Sequence, residues 1–387
     1  MSTAESKSTA GHSSTPDINL TGPSDRRLDV DAKQQLIGQF LQQHKCDAIL
    51  LTNPANFAWL TGGGMARGHL QSADLPALFF TPESRCVLCC NVDSQRIFDE
   101  ELNGLGFQIK EWSWQRGRET LLANICHGRK VVSDEPRENT IPAGNALQTR
   151  RIQLSLYEQA CYRALGQILG HAVEATCRNI KRGDTEREVA GQLSHRLVHR
   201  GIHPLMVSAM ADGRSGLYRQ GGYTSTPVQS YCVLSAAGMK YGLCALVSRS
   251  LSFGPAPAEF RKEHDAASRV SATYVASSWP DAVPKQILAT VRRVYQITGF
   301  EYEWTLSPQG HITGHQLVER SLTPESEDLL PVHCALTWRG SVGAALSCDT
   351  FHITENGPRT LTVAEHWPLK NIRVQGAEFV RPDILER

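Results

Sequence analysis

Apolar residues in the first part of the chain follow helical and strand spacing in turn. Apolar side chains at positions 36, 37, 40 and 41 share one face of a helix, and Asp31 precedes them as a suitable N-cap. Short apolar runs predict strands at 46–52 and near 78–81, 86–90 and 130–133, with a helix near 94–102. This alternation predicts an α/β layer in the first part of the chain.

The second part of the chain opens on a long helical pattern over residues 155–180. Ser155 and Glu158 have the spacing of a capping box at its start. Two apolar runs bounded by glycines, from Tyr231 to Ala237 and from Leu243 to Ser248, are typical of buried strands in a hairpin. Helices over 258–277 and 284–298 and strands near 334–353 complete the prediction.

Length and composition narrow the class of protein. A chain of 387 residues suggests two domains, and 40 basic against 39 acidic residues provide no field that would attract nucleic acid or an acidic membrane. The first residues are rich in Ser, Thr, Gly and Pro and lack the apolar core of a secretory signal, which predicts a disordered tail. No segment approaches the about 20 apolar residues of a membrane span. Eleven cysteines, an odd number, favour free thiols and a cytoplasmic location.

The predicted hairpin also carries a resemblance to a known family. Residues 235–249 resemble the first metal-ligand hairpin of the creatinase, aminopeptidase P and methionine aminopeptidase superfamily, whose pattern is Asp-x-Gly-…-Gly-Tyr-x-x-Asp-x-Thr-Arg. Gly242 and the ending Ser248-Arg249 are kept, whereas Ser235 and Leu246 stand where the two aspartates would be. Residues 53–64 and 181–190 resemble further motifs of the same superfamily, in the expected order.

The resemblance implies a fold and a domain order. It implies the α+β class, with a creatinase-like amino-terminal α/β domain over 30–150 and a pita-bread domain over 151–387, after a disordered tail over 1–29. Members of creatinase type commonly form dimers, so a homodimer is expected.

The superfamily's hydrolases hold two divalent ions with two Asp, one His and two Glu, because hard oxygen ligands suit such ions. Residues 309–315 resemble the His-x-x-x-His element, which makes His315 the one retained ligand. Residues 331–340 and 347–362 resemble the two glutamate motifs and place Trp338 and Cys348 at the glutamate positions. The resemblance therefore implies a degenerate metal site, and no cofactor is expected. Its positions are Ser235, Leu246, His315, Trp338 and Cys348.

Creatinase itself works without metal, so loss of the metal ligands does not by itself imply loss of catalysis. The family's two proton-shuttling histidines correspond to Tyr218 and Leu322, and a tyrosine is a poor base near neutral pH. The catalytic candidates are His315, Cys348 and Tyr218. Cys348 is either a nucleophile with His315 as its base or a small buried strand residue. His315 is either that base or a satisfied core histidine.

Candidates for ligand binding come from the same presumed cleft. Arg214, Arg219 and Arg249 could recognise a carboxylate bidentately or could be solvated, and Trp338 could stack on a ligand or plug the cavity. The binding candidates are Arg214, Tyr218, Arg249, His311, His315 and Trp338.

Two functions are compatible with these residues. The first is a metal-free member that binds a small molecule, a peptide or a protein partner without hydrolysing it. The alternative is a metal-independent creatinase-type hydrolase of C–N bonds in small amidino or peptide-like substrates. The alternative requires His315, Cys348 and Tyr218 to converge on one pocket.

Overall fold

The computed structural model describes residues 21–66 and 75–387. Its first part alternates helices and strands in the order α1 (Pro23–His44), β1 (Ala48–Leu51), α2 (Pro54–Leu60), β2 (Ala77–Phe80), β3 (Arg85–Cys90), α3 (Ser94–Arg96), β4 (Gln108–Trp112), α4 (Glu119–Cys126), β5 (Val131–Ser133), β6 (Thr140–Pro142) and α5 (Ala146–Ile152). A π-helix over Ile97–Glu101 continues α3. The strands form one mixed sheet in the order β4-β3-β2-β1-β5-β6.

Helix α1 begins earlier than the sequence pattern predicts. Gly22 is its N-cap, Pro23 supplies a helical φ at the first position, and Asp25 accepts a hydrogen bond from the Gly22 N–H at 3.1 Å. Asp31 is therefore not the N-cap. It lies within the helix and pairs with Arg27 and Arg85 at 2.9 and 2.6 Å. Residues 23–29 of the predicted tail are helical, and residues 1–20 lie outside the described ranges.

The second part builds three sheets and the longest helix. Its elements are α6 (Leu156–Asn179), α7 (Glu186–His199), β7 (His203–Ala211), α8 (Arg214–Leu217), β8 (Tyr231–Lys240), β9 (Leu243–Ser252), α9 (Ala258–Ser277), α10 (Pro284–Ile297), β10 (Gly310–Thr313), β11 (Arg320–Ser321), β12 (Ala335–Val342), β13 (Ala345–Thr354), β14 (Gly357–Thr360), β15 (Leu369–Val374), β16 (Ala377–Pro382) and β17 (Leu385–Glu386). A 3-10 helix covers Glu301–Thr305. The strand orders are β17-β9-β8-β7, β11-β10-β12-β13-β14 and β15-β16.

Two helix layers cover these sheets. Helices α6 and α7 bury their apolar faces against β7, β8 and β9, whereas α9 packs on β12 and β13. The two larger sheets meet where β9 contacts β13. The predicted capping box is confirmed, since the Ser155 hydroxyl accepts from the Glu158 N–H at 3.1 Å and the Glu158 carboxylate accepts from the Ser155 N–H at 2.8 Å. The predicted α+β class is confirmed as well.

Close contacts hold the first part of the chain against the second. Arg151 pairs with buried Glu319 at 2.5 Å. Gly63 lies so near the hairpin turn that a Cβ atom on it would be 2.6 Å from the Tyr241 carbonyl oxygen, and its φ of 109° also favours glycine. This contact brings the loop after α2 onto the β8–β9 turn. Within the described ranges, no helix is long and apolar enough to cross a membrane.

Candidate functional site

The register of the β8–β9 hairpin decides which side chains meet. Its two-residue turn, Tyr241-Gly242, has positive φ at both positions, 55° and 67°, as type I′ turns require. That turn places Ala237 directly opposite Leu246, whereas Ser235 pairs with Ser248. Ser235, at the first aspartate position, and Ala237 lie on the same face of the hairpin because they are two residues apart on β8.

An apolar cluster occupies the position that the resemblance gives to metal ligands. Ala237, Leu246 and Cys348 pack together with exposed fractions of 0, 3 and 1%. Three half-buried apolar side chains surround them on the open side of the sheets: Met206, Leu317 and Leu346. These six residues are here called the apolar floor. No member of the apolar floor is a carboxylate.

Cys348 has the chemistry of a structural thiol. Burial raises the pKa of its thiol to about 12, so the protonated form dominates near neutral pH. The thiolate is the nucleophilic form of cysteine, and it is this form that Cys348 lacks. The interpretation of Cys348 as a buried strand residue therefore fits its surroundings, and the nucleophile hypothesis does not.

Hydrogen bonds close the sheets over this cluster. The Thr350 hydroxyl lies 2.9 Å from both the N–H and the carbonyl oxygen of Leu246. The Ser248 hydroxyl accepts from the Cys348 N–H at 2.9 Å and donates to the Leu346 carbonyl at 2.9 Å. Strands β9 and β13 are thus fastened together on both sides of the Leu246–Cys348 contact, which leaves the cluster little freedom to open.

Both ring nitrogens of His315 are already in use. Nε2 lies 2.8 Å from Oε1 of Glu158 and Nδ1 lies 3.0 Å from the Gly242 carbonyl oxygen, with the side chain buried. Oε1 of Glu158 also accepts from Lys33 at 2.6 Å, and Lys33 donates to Asp29 at 2.6 Å. Both nitrogens therefore face protein oxygens, and neither is free to face a metal ion.

The same network controls the charge of Glu158. Burial favours a higher pKa for this carboxyl, but the Lys33 ammonium and the His315 ring outweigh burial and lower the pKa of Glu158. Lys33 thus bridges the buried carboxylates of Asp29 and Glu158, and Glu158 also contacts His315. The residue at the histidine position of the metal-binding pattern is part of a buried polar network.

Trp338 does not lie in the cleft. Its ring stacks on Tyr274 with centroids 4.2 Å apart and planes 6° from parallel, and its Nε1 donates to the Ser278 hydroxyl at 2.8 Å. A Cβ on Gly310 would lie 2.2 Å from the indole, so the glycine leaves room for it. The predictions that Trp338 stacks on a ligand or plugs the metal cavity are wrong. Strand residues alternate between faces, and a one-residue alignment error moved it to the other face.

Arg339 is the cleft residue that the sequence alignment missed. It lies directly opposite Cys348 in the β12–β13 register and so shares the cleft face with that thiol. Aligning Thr337 with the threonine of Thr-x-Glu-Pro-Gly puts Arg339, not Trp338, at the glutamate position. That one-residue shift was the available signal. Where the resemblance implies a carboxylate ligand, the chain carries a cation.

His311 lies beside this arginine. It pairs with Thr337 across β10 and β12, which places it on the face that Arg339 occupies. Burial and the Arg339 cation lower the pKa of His311 to about 4, so the ring is neutral near pH 7. Neither ring nitrogen makes a hydrogen bond to any described residue, and Nε2 is buried. The pair presents unused polar atoms toward the cleft.

Arg249 is part of the core rather than of a ligand site. Its fully buried guanidinium donates to Glu174 at 3.1 Å, to Asp349 at 2.9 Å and to the Thr362 carbonyl at 2.9 Å. Asp349 is shared with a second buried arginine, Arg381. The prediction that Arg249 binds a ligand does not agree with this burial, because every face of the group has a protein partner.

The remaining candidates lie on helix α8 and the residues that follow it, next to β7. Arg214 pairs with Glu186 at 2.7 Å and lies 5.4 Å from the centre of the Tyr218 ring, and Tyr218 is 55% exposed. Arg219 pairs with Glu303 at 2.7 Å. In the described ranges, no hydrogen bond joins Tyr218 to His315 or Cys348. Tyr218 is exposed whereas His315 and Cys348 are buried, so the three catalytic candidates do not share one environment.

These residues do not fit a pair of divalent cations. Hard ions require several oxygen ligands with negative charge, whereas this face offers Ala237, Leu246, Cys348 and Arg339. His315 is occupied by Glu158 and a carbonyl. Across the residues that the structure describes, no group of three or more His, Cys, Asp or Glu side chains could hold a metal ion.

Comparison with known proteins shows which fold carries this site. Residues 160–329 match metallopeptidase family M24. A prolidase from Pyrococcus horikoshii superposes with a TM-score of 0.73 at 18% identity, covering 86% of this chain and 99% of that chain. An X-Pro aminopeptidase from Thermotoga maritima gives 0.72 at 16% identity, covering 86% and 98%.

A further similar structure belongs to a protein that is not named as a peptidase. The N-terminal domain of FACT complex subunit SPT16 from chickpea superposes with a TM-score of 0.63 at 11% identity, covering 87% of this chain and 95% of that chain. No curated protein matches the chain. At these identities the structural likeness shows the fold, which is the two-domain pita-bread architecture.

Proposed function

We propose that this chain, in which residues 160–329 match metallopeptidase family M24, is a non-peptidase member of the creatinase and aminopeptidase P superfamily. It binds a ligand or partner in the former peptidase cleft without hydrolysing it. The observation that carries this proposal is the packing of Leu246 against Ala237 and Cys348, where the metal-binding carboxylates of the superfamily would lie.

Physical chemistry supports the loss of hydrolysis. The superfamily's peptidases obtain their nucleophile from water held between metal ions, and that activation needs the charged ligand set. Apolar packing excludes both the ions and the water from this position. The cluster contains no carboxylate, so no side-chain rotation within it can supply the oxygen ligands that divalent ions need.

Metal-independent hydrolysis lacks support from the same residues. Cys348 keeps its proton because burial raises its thiol pKa to about 12. His315 is held by Glu158 and the Gly242 carbonyl and has no free nitrogen to act as a base. A nucleophile and a base are both required for covalent catalysis of this type.

A fold can serve several roles, and one similar structure supports a binding role here. The chickpea SPT16 domain is part of a subunit of the FACT complex and is not named as a peptidase. Function follows from the site rather than from the frame, so this neighbour supports the proposal only together with the altered cleft.

We also propose that the protein acts in the cytoplasm as a homodimer. All eleven cysteines lie in the described ranges as free thiols, which supports a reducing compartment. Light scattering coupled to gel filtration tests the assembly: a mass of twice 42.7 kDa supports the dimer, and a monomer mass rejects it.

A hydrolysis assay tests the function. The purified protein is incubated with Xaa-Pro dipeptides or creatine in the presence of Mn²⁺, Co²⁺ or Zn²⁺ in turn. The expected result is no product above a heat-inactivated control. Product formation that depends on a metal would overturn the proposal. Product formation that a Cys348→Ala variant abolishes would instead establish a thiol-dependent hydrolase.

A further inference from the structure

We propose that the cleft binds a small organic carboxylate, with Arg339 and His311 as its polar contacts and the apolar floor beneath its hydrocarbon part. This inference rests on the proposed function, because it names the class of ligand that the non-hydrolytic cleft would take. Three observations support it: an arginine without a carboxylate partner, a buried histidine without a hydrogen bond, and an apolar surface beside both.

Arg339 differs from the other arginines around the cleft. Arg214 pairs with Glu186 and Arg219 pairs with Glu303, each at 2.7 Å. Arg339 pairs with no carboxylate among the described residues, and its Nη2 lies 3.5 Å from the Arg219 carbonyl oxygen, at the limit of a hydrogen bond. Its Nε is buried without a partner. Buried guanidinium nitrogens normally have a partner, so a bound anion would complete this one.

His311 adds a second unsatisfied group on the same face. The side chain is 9% exposed, and both ring nitrogens lack a partner in the described part of the chain. Its position opposite Thr337 places it next to Arg339, diagonally across the strand pair. A carboxylate lying between them would accept from the guanidinium with one oxygen and from the imidazole with the other. Two oxygens on one carbon suit this arrangement of donors.

The apolar floor restricts the ligand further. Cys348 lies directly opposite Arg339, and Leu346 and Leu317 continue the apolar surface from it. An anion with no hydrocarbon part would leave the half-buried part of this surface, Leu317 and Leu346, in contact with water. A carboxylate that carries an alkyl, aryl or acylamino group would cover it, at roughly 25 cal/mol for each Å² of apolar area removed from water. The gain from covering this apolar surface favours organic acids over inorganic phosphate.

Ligand-detected NMR tests the proposal with the full-length protein. The probes are phenylacetate, N-acetyl-leucine and N-acetyl-proline, each beside its methyl ester, with inorganic phosphate as a competitor. The expected result is saturation transfer to the acids, little transfer to the esters and no displacement by phosphate. Equal transfer to acids and esters, displacement by phosphate, or no transfer to any probe would overturn the carboxylate site.

Variants assign the contact to named residues. Arg339→Met is expected to weaken binding of the acids at least about tenfold, since hydrogen bonds to charged groups contribute about 1.5–3 kcal/mol. Arg339→Lys keeps the positive charge but loses the paired N–H groups of the guanidinium. Its affinity for the acids should lie between those of Arg339→Met and the unchanged protein. The exposed Arg293→Met is the matched control and should bind normally. If Arg339→Met and Arg339→Lys both fold, by circular dichroism, and both bind normally, the assignment is wrong.

The same spectra separate this inference from the proposed function. Leu-Pro added to the tube reports hydrolysis through the signals of free leucine and proline. Absence of acid binding without hydrolysis removes the carboxylate site and leaves the non-peptidase proposal standing. Hydrolysis of Leu-Pro removes the non-peptidase proposal, whatever the acids do.

Discussion

His315 and Glu158 form a buried contact of 2.8 Å between the histidine of the metal-binding motif and the first turn of helix α6. Glu158 also closes the capping box of that helix and receives Lys33 from helix α1. One carboxylate therefore joins a helix terminus, the hairpin side of the cleft and the amino-terminal part of the chain. The contact gives His315 a structural role that needs no metal.

Removing the cation from this network should destabilise the protein strongly. Lys33→Met leaves Asp29 and Glu158 buried without their ammonium partner, and breaking a buried ion pair from one side costs about 3–5 kcal/mol. Chemical denaturation should show this loss as a lower midpoint with an unchanged slope. Lys285→Met, which removes an exposed lysine paired with Glu327, is the control and should have little effect. Equal midpoints for the two variants would show that the network contributes no stability.

Acid should destabilise the fold partly through His264. Burial, reinforced by nearby Arg261 against the opposing effect of Asp383, lowers the pKa of His264 to about 4. The unfolded chain then binds a proton between about pH 6.5 and 4 that the folded chain does not, so stability falls as pH falls through this window and levels off below it. The loss attributable to this one group is roughly 3 kcal/mol.

Histidine variants test that pH dependence. His264→Gln should flatten the curve of unfolding free energy against pH between about 6.5 and 4, whereas the exposed His195→Gln should reproduce the parent curve. A curve for His264→Gln as steep as that of the parent would show that His264 is not the group responsible.

Thiol reactivity should follow exposure rather than the position in the cleft. Cys126 is partly exposed, whereas Cys348 is 1% exposed with a pKa raised to about 12 by burial. Iodoacetamide under native conditions should label Cys126 well before Cys348, and mass spectrometry of peptides measures the order. Labelling of Cys348 first would mean that its thiol is accessible and ionised.

Substitution of Trp338 should affect stability and substitution of Arg339 should affect binding, because adjacent strand residues face opposite sides of the sheet. Trp338→Phe removes the hydrogen bond to Ser278 and should lower stability by about 1–3 kcal/mol, with no change in binding of organic acids. Arg339→Met should keep its stability and lose binding. Thermal unfolding and ligand-detected NMR on both variants check the pattern. A Trp338→Phe variant that loses binding would place the indole in the cleft.

Local patterns predicted many elements of this fold from the sequence. The capping box of Ser155 and Glu158, the hairpin over 231–248 and the helix over 258–277 depend on neighbouring residues, and the structure confirms all three. The start of helix α1 was wrong because Asp31 suits an N-cap as well as an ion pair. Its partner Arg85 is distant in sequence, so the choice depends on tertiary contacts.

The site was harder to predict than the frame. Successive side chains of a strand point to opposite faces of the sheet. Placing Trp338 rather than Arg339 at the glutamate position therefore assigned the wrong side chain to the cleft. The contact between His315 and Glu158 could not be predicted, because the two residues are 157 positions apart and no periodic pattern links them.

Titration of metal-stripped protein with Mn²⁺, followed by calorimetry, tests most directly whether the peptidase metal site has been replaced by apolar packing. Because Ala237, Leu246 and Cys348 provide no carboxylate and His315 is held by Glu158, we expect no saturable heat and only substoichiometric metal after desalting. The same result is expected with Zn²⁺ and Co²⁺. Saturable binding of two ions per chain, lost in a His315→Ala variant that remains folded, would contradict it.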